Sequence, residues 1–210
     1  HEPVRTIWKV IHQKNLPEPD QQAETDANNN ESLVMSYNLL ENLLYWSRLQ
    51  QGKLDFEAQN HNLEQLISEV IKLQQPRAVS KQIDCRMHVE SGISGYFDYH
   101  MIEIALRNLV ENAIKFSTFN SEIIVRAKKE LETIVITVED NGIGFTREQL
   151  NNIFSINKNY ISQGTHGEKG GGLGLILANV FIERNFGTLT IESSIAIGTK
   201  VTVVLPCSKN

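Results

Sequence analysis

The chain has 210 residues, 40% of them hydrophobic and 21% charged, with a formal net charge of −5. That length allows one large domain or a small one joined to a medium one, and the composition suits a buried core rather than disorder. The acidic balance leaves no basic footprint, so nucleic acid is not an expected partner. No apolar run approaches the roughly 20 residues that a membrane span needs. Cys85 and Cys207 fit neither a disulfide framework nor a metal cluster, and two reduced thiols are expected.

Near the start, Val4, Ile7, Trp8 and Ile11 recur at helical spacing and predict a short helix. The polar stretch from Asn15 to Asn30, with Pro17 and Pro19, interrupts it. A second helix is predicted from about Glu31 to Gln50 and stops at Gly52. Its apolar stripe (Leu33, Val34, Tyr37, Leu40, Leu43, Leu44, Trp46) is too broad for a two-stranded seam. Such helices bury their faces by pairing with a second copy into a four-helix bundle, or by packing on the domain that follows.

After Lys53 the pattern is mixed. Leu63, Leu66, Ile67, Val70 and Ile71 predict a helix, residues 83–89 a strand, and residues 102–115 another helix. Strands are expected over about 122–127 and 133–139, and Thr146 with Gln149 forms a capping box that opens a short helix. Ser155 to Lys169 is polar and weakly periodic and is expected to be a mobile loop. A helix over 173–184 and two strands around a turn at Gly198 close the chain. The mixture predicts an α+β fold, a two-layer sandwich whose mixed sheet is covered by helices on one face.

Three segments carry chemistry. In the first, Asn108 and Asn112 lie four apart on one helix face, with Arg107, Glu111 and Lys115 close by. An amide oxygen is a suitable ligand for Mg²⁺, a hard ion that keeps several waters and shares itself with substrate phosphates. In the second, Asp140 ends an apolar strand and precedes Gly142 and Gly144. A carboxylate there accepts a hydrogen bond from the exocyclic amine of adenine, where guanine presents a carbonyl instead. In the third, Gly170-Gly171-Gly172-Leu173-Gly174 runs into a helix, whose free N–H groups and dipole suit an anion. The run lacks the Gly-Lys-Ser/Thr ending of a P-loop and follows no strand, which also excludes a Rossmann fingerprint.

In this order the segments resemble the ATP-binding domain of sensor histidine kinases, a branch of the gyrase, chaperone, histidine kinase and MutL superfamily. The resemblance runs from about Leu54 to Pro206, and Asn42 to Leu49 followed by Gly52-Lys53 resembles the end of the dimerisation hairpin that precedes that domain. It implies a helical hairpin over 1–52, half of a dimeric four-helix bundle, and an ATP-binding domain over 53–210. It implies a site for ATP and Mg²⁺ made of Asn108, Asn112, Lys115, Phe116, Asp140, Gly142, Gly144, Gly170, Gly172, Leu173, Gly174 and Thr199. Within that site Asn112 is the metal ligand, Asn108 and Lys115 lie near the phosphates, and the Thr199 hydroxyl is within reach of phosphate. Ser155–Lys169 becomes a lid, in which Lys158, His166 and Lys169 are solvated charges or γ-phosphate contacts. Phe154 stands where the family often has a phenylalanine box, although the Ser-Ile-Asn-Lys that follows departs from it.

Hydrolytic relatives carry a glutamate where Asn108 stands, so transfer to a histidine is expected rather than attack by water. Glu111 is the alternative base. The acceptor is left open between two alignments, with His12 or a degenerate motif as the remaining alternatives. One makes His1 the phosphoacceptor with Glu2 as its acid/base partner, but Pro3 then comes three residues early. The other matches Glu2-Pro3-Val4-Arg5-Thr6-Ile7 to the later half of the motif, so that the acceptor lies before the chain starts. His61, His88 and His100 are expected at the surface. The resemblance further implies a homodimer, a response-regulator receiver domain as partner, a cytoplasmic location, and membrane attachment only through a sensor region outside this chain.

Overall fold

Buried and outward residues alternate along three long strands, the signature of a sheet packed on one face and open on the other. A computed structural model describes residues 54–154 and 173–208, together with 40, 42, 44, 45, 47, 48, 51, 52, 164–166 and 168. The predicted first helix, the Asn15–Asn30 stretch and most of the second helix lie outside the described residues. Those described between 40 and 48 are helical. By its contacts the chain divides into His1–Glu41 and Asn42–Asn210, and the second unit is described below.

Its elements in chain order are β1 (Ala58–Asn62), α1 (Leu63–Ser80), β2 (Asp84–Val89), β3 (Ser94–Asp98), α2 (Tyr99–Phe116), β4 (Glu122–Glu130), β5 (Thr133–Asp140), α3 (Arg147–Asn152), α4 (Gly174–Arg184), β6 (Thr188–Ser194) and β7 (Gly198–Pro206). Five strands form a mixed sheet in the order β2-β4-β5-β7-β6, parallel between β2 and β4 and antiparallel elsewhere. Ile123, Val125, Ala127, Ile134, Ile136, Val138, Val201, Val203 and Leu205 point from it into the core. They meet Leu66 and Val70 of α1, Ile102, Leu109 and Ala113 of α2, and Leu177 and Phe181 of α4 in one cluster. The other face carries the ladder Arg126–Glu139–Lys200, at 2.6 and 3.4 Å, beside the half-buried Ile124, Val135 and Val204. The expected two-layer sandwich is therefore the observed fold.

Two strands were not legible in the sequence. β1 (AQNHN) has no apolar alternation and β3 (SGYFD) is short, yet they pair antiparallel as a small second sheet. Their partner is chemistry at the ends. Asp98 closes β3 and caps α2, accepting from the N–H of Met101 at 3.1 Å and of Glu57 at 2.9 Å. Buried Asn185 accepts from the Asp98 N–H at 2.7 Å and donates to the Phe181 carbonyl at 2.8 Å. The start of α2, the end of α4 and the small sheet are thus joined through two side chains.

Candidate functional site

The site is organised along α2, which is longer than its periodicity predicts because Asp98 caps it a turn earlier. Asn108 is not on a solvated face. It is 9% exposed, its Nδ2 donates to the Ile104 carbonyl at 2.9 Å, and its Oδ1 faces Gly174. A Cβ at Gly174 would stand 2.5 Å from that oxygen, so the glycine is what lets α4 begin against α2. Asn112, one turn further along, is partly buried. The N-cap residue of α4, Leu173, makes no side-chain capping bond to that helix.

The other end of α2 meets the loop after β5. The Ile143 N–H donates to the Phe116 carbonyl at 3.1 Å, and a Cβ at Gly142 would stand 2.4 Å from the same oxygen. Gly144 has φ +66° and a Cβ there would meet the Ser194 carbonyl at 2.1 Å, so the loop is pressed on the β6–β7 hairpin as well. Ser193 fastens it, accepting from the Phe145 N–H at 2.9 Å while donating to the Gly198 carbonyl at 2.8 Å. The Phe116 and Phe145 rings meet edge to face at 6.2 Å, and the Lys115 ammonium lies 4.9 Å from the Phe116 centroid.

Asp140 sits on the last rung of β5, opposite Thr199. Its Oδ1 accepts from the Gly142 N–H at 2.8 Å. Burial pushes its carboxyl up to about 6, against the N–H groups of Gly142 and Thr199 that pull it down. The carboxylate is therefore held in place yet poorly solvated, as a group awaiting a donor would be. Thr199 lies at this end of the site, with its hydroxyl 3.0 Å from that of Ser193. Burial lowers the Lys115 ammonium from its ordinary value, with Glu168 and Glu111 acting against it. Glu111 is ion-paired with Arg77 at 2.6 Å, which disfavours it as a base for water.

His1, Glu2, Gly170 and Gly172 lie outside the described residues, as do Lys158, Lys169 and most of Ser155–Lys169. Phe154 is 37% exposed and stands outside the core cluster. His88 and His100 are exposed, whereas the His61 ring packs on Phe97 and Tyr99. Both cysteines are free and partly buried, and no cluster of three metal-binding side chains occurs among the described residues. No described helix is long and apolar enough to cross a membrane. Sequence reasoning missed Lys81. It is 3% exposed, and its ammonium reaches the carbonyls of Ile114, Lys115 and Ser117 at 2.9, 3.0 and 3.2 Å. Its one prior signal is its place two residues before the Ile83 strand.

Residues 97–209 match the family of histidine kinase-, DNA gyrase B- and HSP90-like ATPases. The heme sensor protein HssS of Staphylococcus saprophyticus is 33% identical over 162 residues, covering 77% of this chain and 34% of HssS. The chain spans about a third or less of the curated relatives it matches. The catalytic domain of the histidine kinase ThkA has a TM-score of 0.63 at 25% identity, over 72% of this chain and 96% of that one. Full-length ShkA in complex with AMPPNP has a TM-score of 0.72 at 20% identity, over 94% of this chain and 41% of that one. With more than half of its residues matched and its fold shared with these kinases, the chain belongs to the histidine kinase-, DNA gyrase B- and HSP90-like ATPase family.

Proposed function

We propose that the chain is the kinase core of a sensor histidine kinase, which binds Mg-ATP and passes the γ-phosphoryl group to a histidine of the helical hairpin. The observation that carries this reading is the convergence on α2. Buried Asn108 touches the start of α4, and the far end of the same helix holds the loop after Asp140. An adenine amine at Asp140 and a triphosphate at the α4 N-terminus then lie along the second half of one helix, with Asn112 and Lys115 in the stretch that joins them. The residues fit the group they are asked to hold: a desolvated carboxylate for a donor, a helix N-terminus without a side-chain cap from Leu173 for an anion, and an amide for a metal.

In this reading Asn112 holds the metal, which would neutralise charge on the phosphates when bound. Asp140 selects adenine and Gly142 lets the base approach the backbone. Asn108 and Lys115 orient the phosphates, with Gly170, Gly172, Leu173 and Gly174 beneath them. Transfer breaks the bond between the γ-phosphorus and the bridging oxygen, forms a phosphorus–nitrogen bond and releases ADP. Relay to the aspartate of a response regulator, dimerisation through the hairpin and a cytoplasmic location follow from the same reading. The Arg77 pair on Glu111 supports transfer over hydrolysis.

Incubation with γ-labelled ATP tests it. An acid-labile, base-stable label on the protein is the expected result. Release of phosphate without a label would make the chain a hydrolase, and neither product would make it a nucleotide-binding module.

A further inference from the structure

Lys81 is a charge buried where the nucleotide reading assigns it nothing. Besides the three carbonyls at the end of α2, its ammonium bonds the Thr165 hydroxyl at 2.8 Å and the Glu168 carboxylate at 2.7 Å. Five oxygens around three N–H donors is a crowded shell, and the Glu168 carboxylate is the ionic partner within it. Elementary electrostatics explains the arrangement. The last carbonyls of a helix lack intrahelical donors and carry its negative end, so a cation there is favoured. A desolvated ammonium also needs a counter-charge, which Glu168 supplies.

The second set of contacts ties the turn at 164–166, together with Glu168, to the same spot. The Thr165 N–H donates to the Lys115 carbonyl at 3.1 Å, the Gly164 N–H to the Glu168 carbonyl at 2.8 Å, and the His166 N–H to the Glu168 carboxylate at 2.8 Å. The Thr165 hydroxyl lies 2.5 Å from the Ser117 carbonyl, and the His166 ring rests on Phe119 at 5.1 Å. The turn also rests on the stem of Lys115, since a Cβ at Gly164 would stand 2.7 Å from Lys115 Cγ. Burial pushes the Glu168 carboxyl up, but the Lys81 ammonium and backbone N–H groups outweigh it and hold it below the usual range.

We propose that Lys81 is a positioning residue for Lys115: through Thr165 and Glu168 it rivets the turn at 164–166 to the end of α2 and so fixes where the Lys115 ammonium is presented to phosphate. Lys81 touches no nucleotide in this account, which rests on the nucleotide-site reading. The prediction is asymmetric. Loss of the rivet frees the turn and the Lys115 stem, whereas Asp140, beside the same end of α2, keeps its place on the β5–β7 ladder opposite Thr199.

The full chain carrying Lys81→Met, Glu168→Gln or both tests this in two arms. In the first, without nucleotide, amide hydrogen exchange at Gly164, Thr165 and His166 rises in each single variant while the β4–β5 ladder stays protected. In the second, affinity for AMPPNP with Mg²⁺ falls about tenfold, the size of coupling between residues in direct contact, and the double variant is no worse than the singles. Adenosine binding, followed by ligand-observed NMR, stays unchanged. Glu168→Gln keeps the lysine in place and serves if Lys81→Met fails to fold. Unchanged exchange at 164–166, or equal losses for adenosine and AMPPNP, overturns the proposal. A wild-type chain that binds neither nucleotide removes the parent reading and this one together, and the wild-type measurement tells that failure apart.

Discussion

Asp140 works against the fold that holds it. Its carboxyl rises from 3.8 to about 6 because burial strips its water, a cost of about 3 kcal/mol when it ionises. The sign follows from linkage. A group whose folded value is raised contributes stability fully present below pH 3.8 and lost as pH climbs through about 6. Asp140→Asn is therefore expected to raise the urea midpoint at pH 7 relative to wild type, with the gap closing between pH 6 and 4, while affinity for AMPPNP collapses. A gap that does not depend on pH would remove the argument. Glycine acts by absence at the neighbouring position: Gly144→Ala sets a Cβ against the Ser194 carbonyl at φ +66° and should cost about 1–3 kcal/mol, read as a lower urea midpoint. Asp140 and the glycines stand out in the sequence because a strand ends there. Lys81 does not, because only the fold reveals that a lysine in a surface-looking turn faces five oxygens.

Among the elements, those with a period were legible and those without were not. The β4, β5 and β7 strands and the α2 helix bury one face, so hydrophobic spacing records them. The β1 strand has no fully buried residue and β3 is too short for its buried Gly95 and Phe97 to make a pattern; both are held by Asp98 and Asn185, whose partners are distant in sequence. Asn108 illustrates the converse. Its spacing marks a polar stripe on α2, but α4 closes over that stripe and the asparagine is buried. The Asp98–Asn185 joint predicts its own measurement. Asn185→Ala orphans the Asp98 N–H and should lower stability by about 1–3 kcal/mol in urea with the unfolding slope unchanged. A loss below a few tenths of a kcal/mol would show that the joint is incidental.

Taken as one body, the Asn42–Asn210 unit holds the whole described candidate site, from Asp140 and Thr199 to Lys81, the turn at 164–166 and Glu168. Ligand and fold are therefore linked by mass action. An ATP analogue at about one hundred times its dissociation constant should add about 2.7 kcal/mol, seen as a higher melting temperature. The shift should shrink on chelation of Mg²⁺ and vanish for a GTP analogue, and a chain beginning at Asn42 should show it undiminished. Loss of the shift on that truncation would place part of the site within His1–Glu41.

The register of the central ladder reaches further than binding. Because Asp140 is the terminal rung opposite Thr199, and Gly198 presses on the Asp140 carbonyl with no room for a side chain, the acid cannot drift by an ångström without unzipping the sheet. In the proposed nucleotide reading, purine discrimination should thus be brittle rather than tunable. Variants that keep the ladder keep their preference for one base, those that lose it lose the domain, and intermediate selectivity has no structure to inhabit.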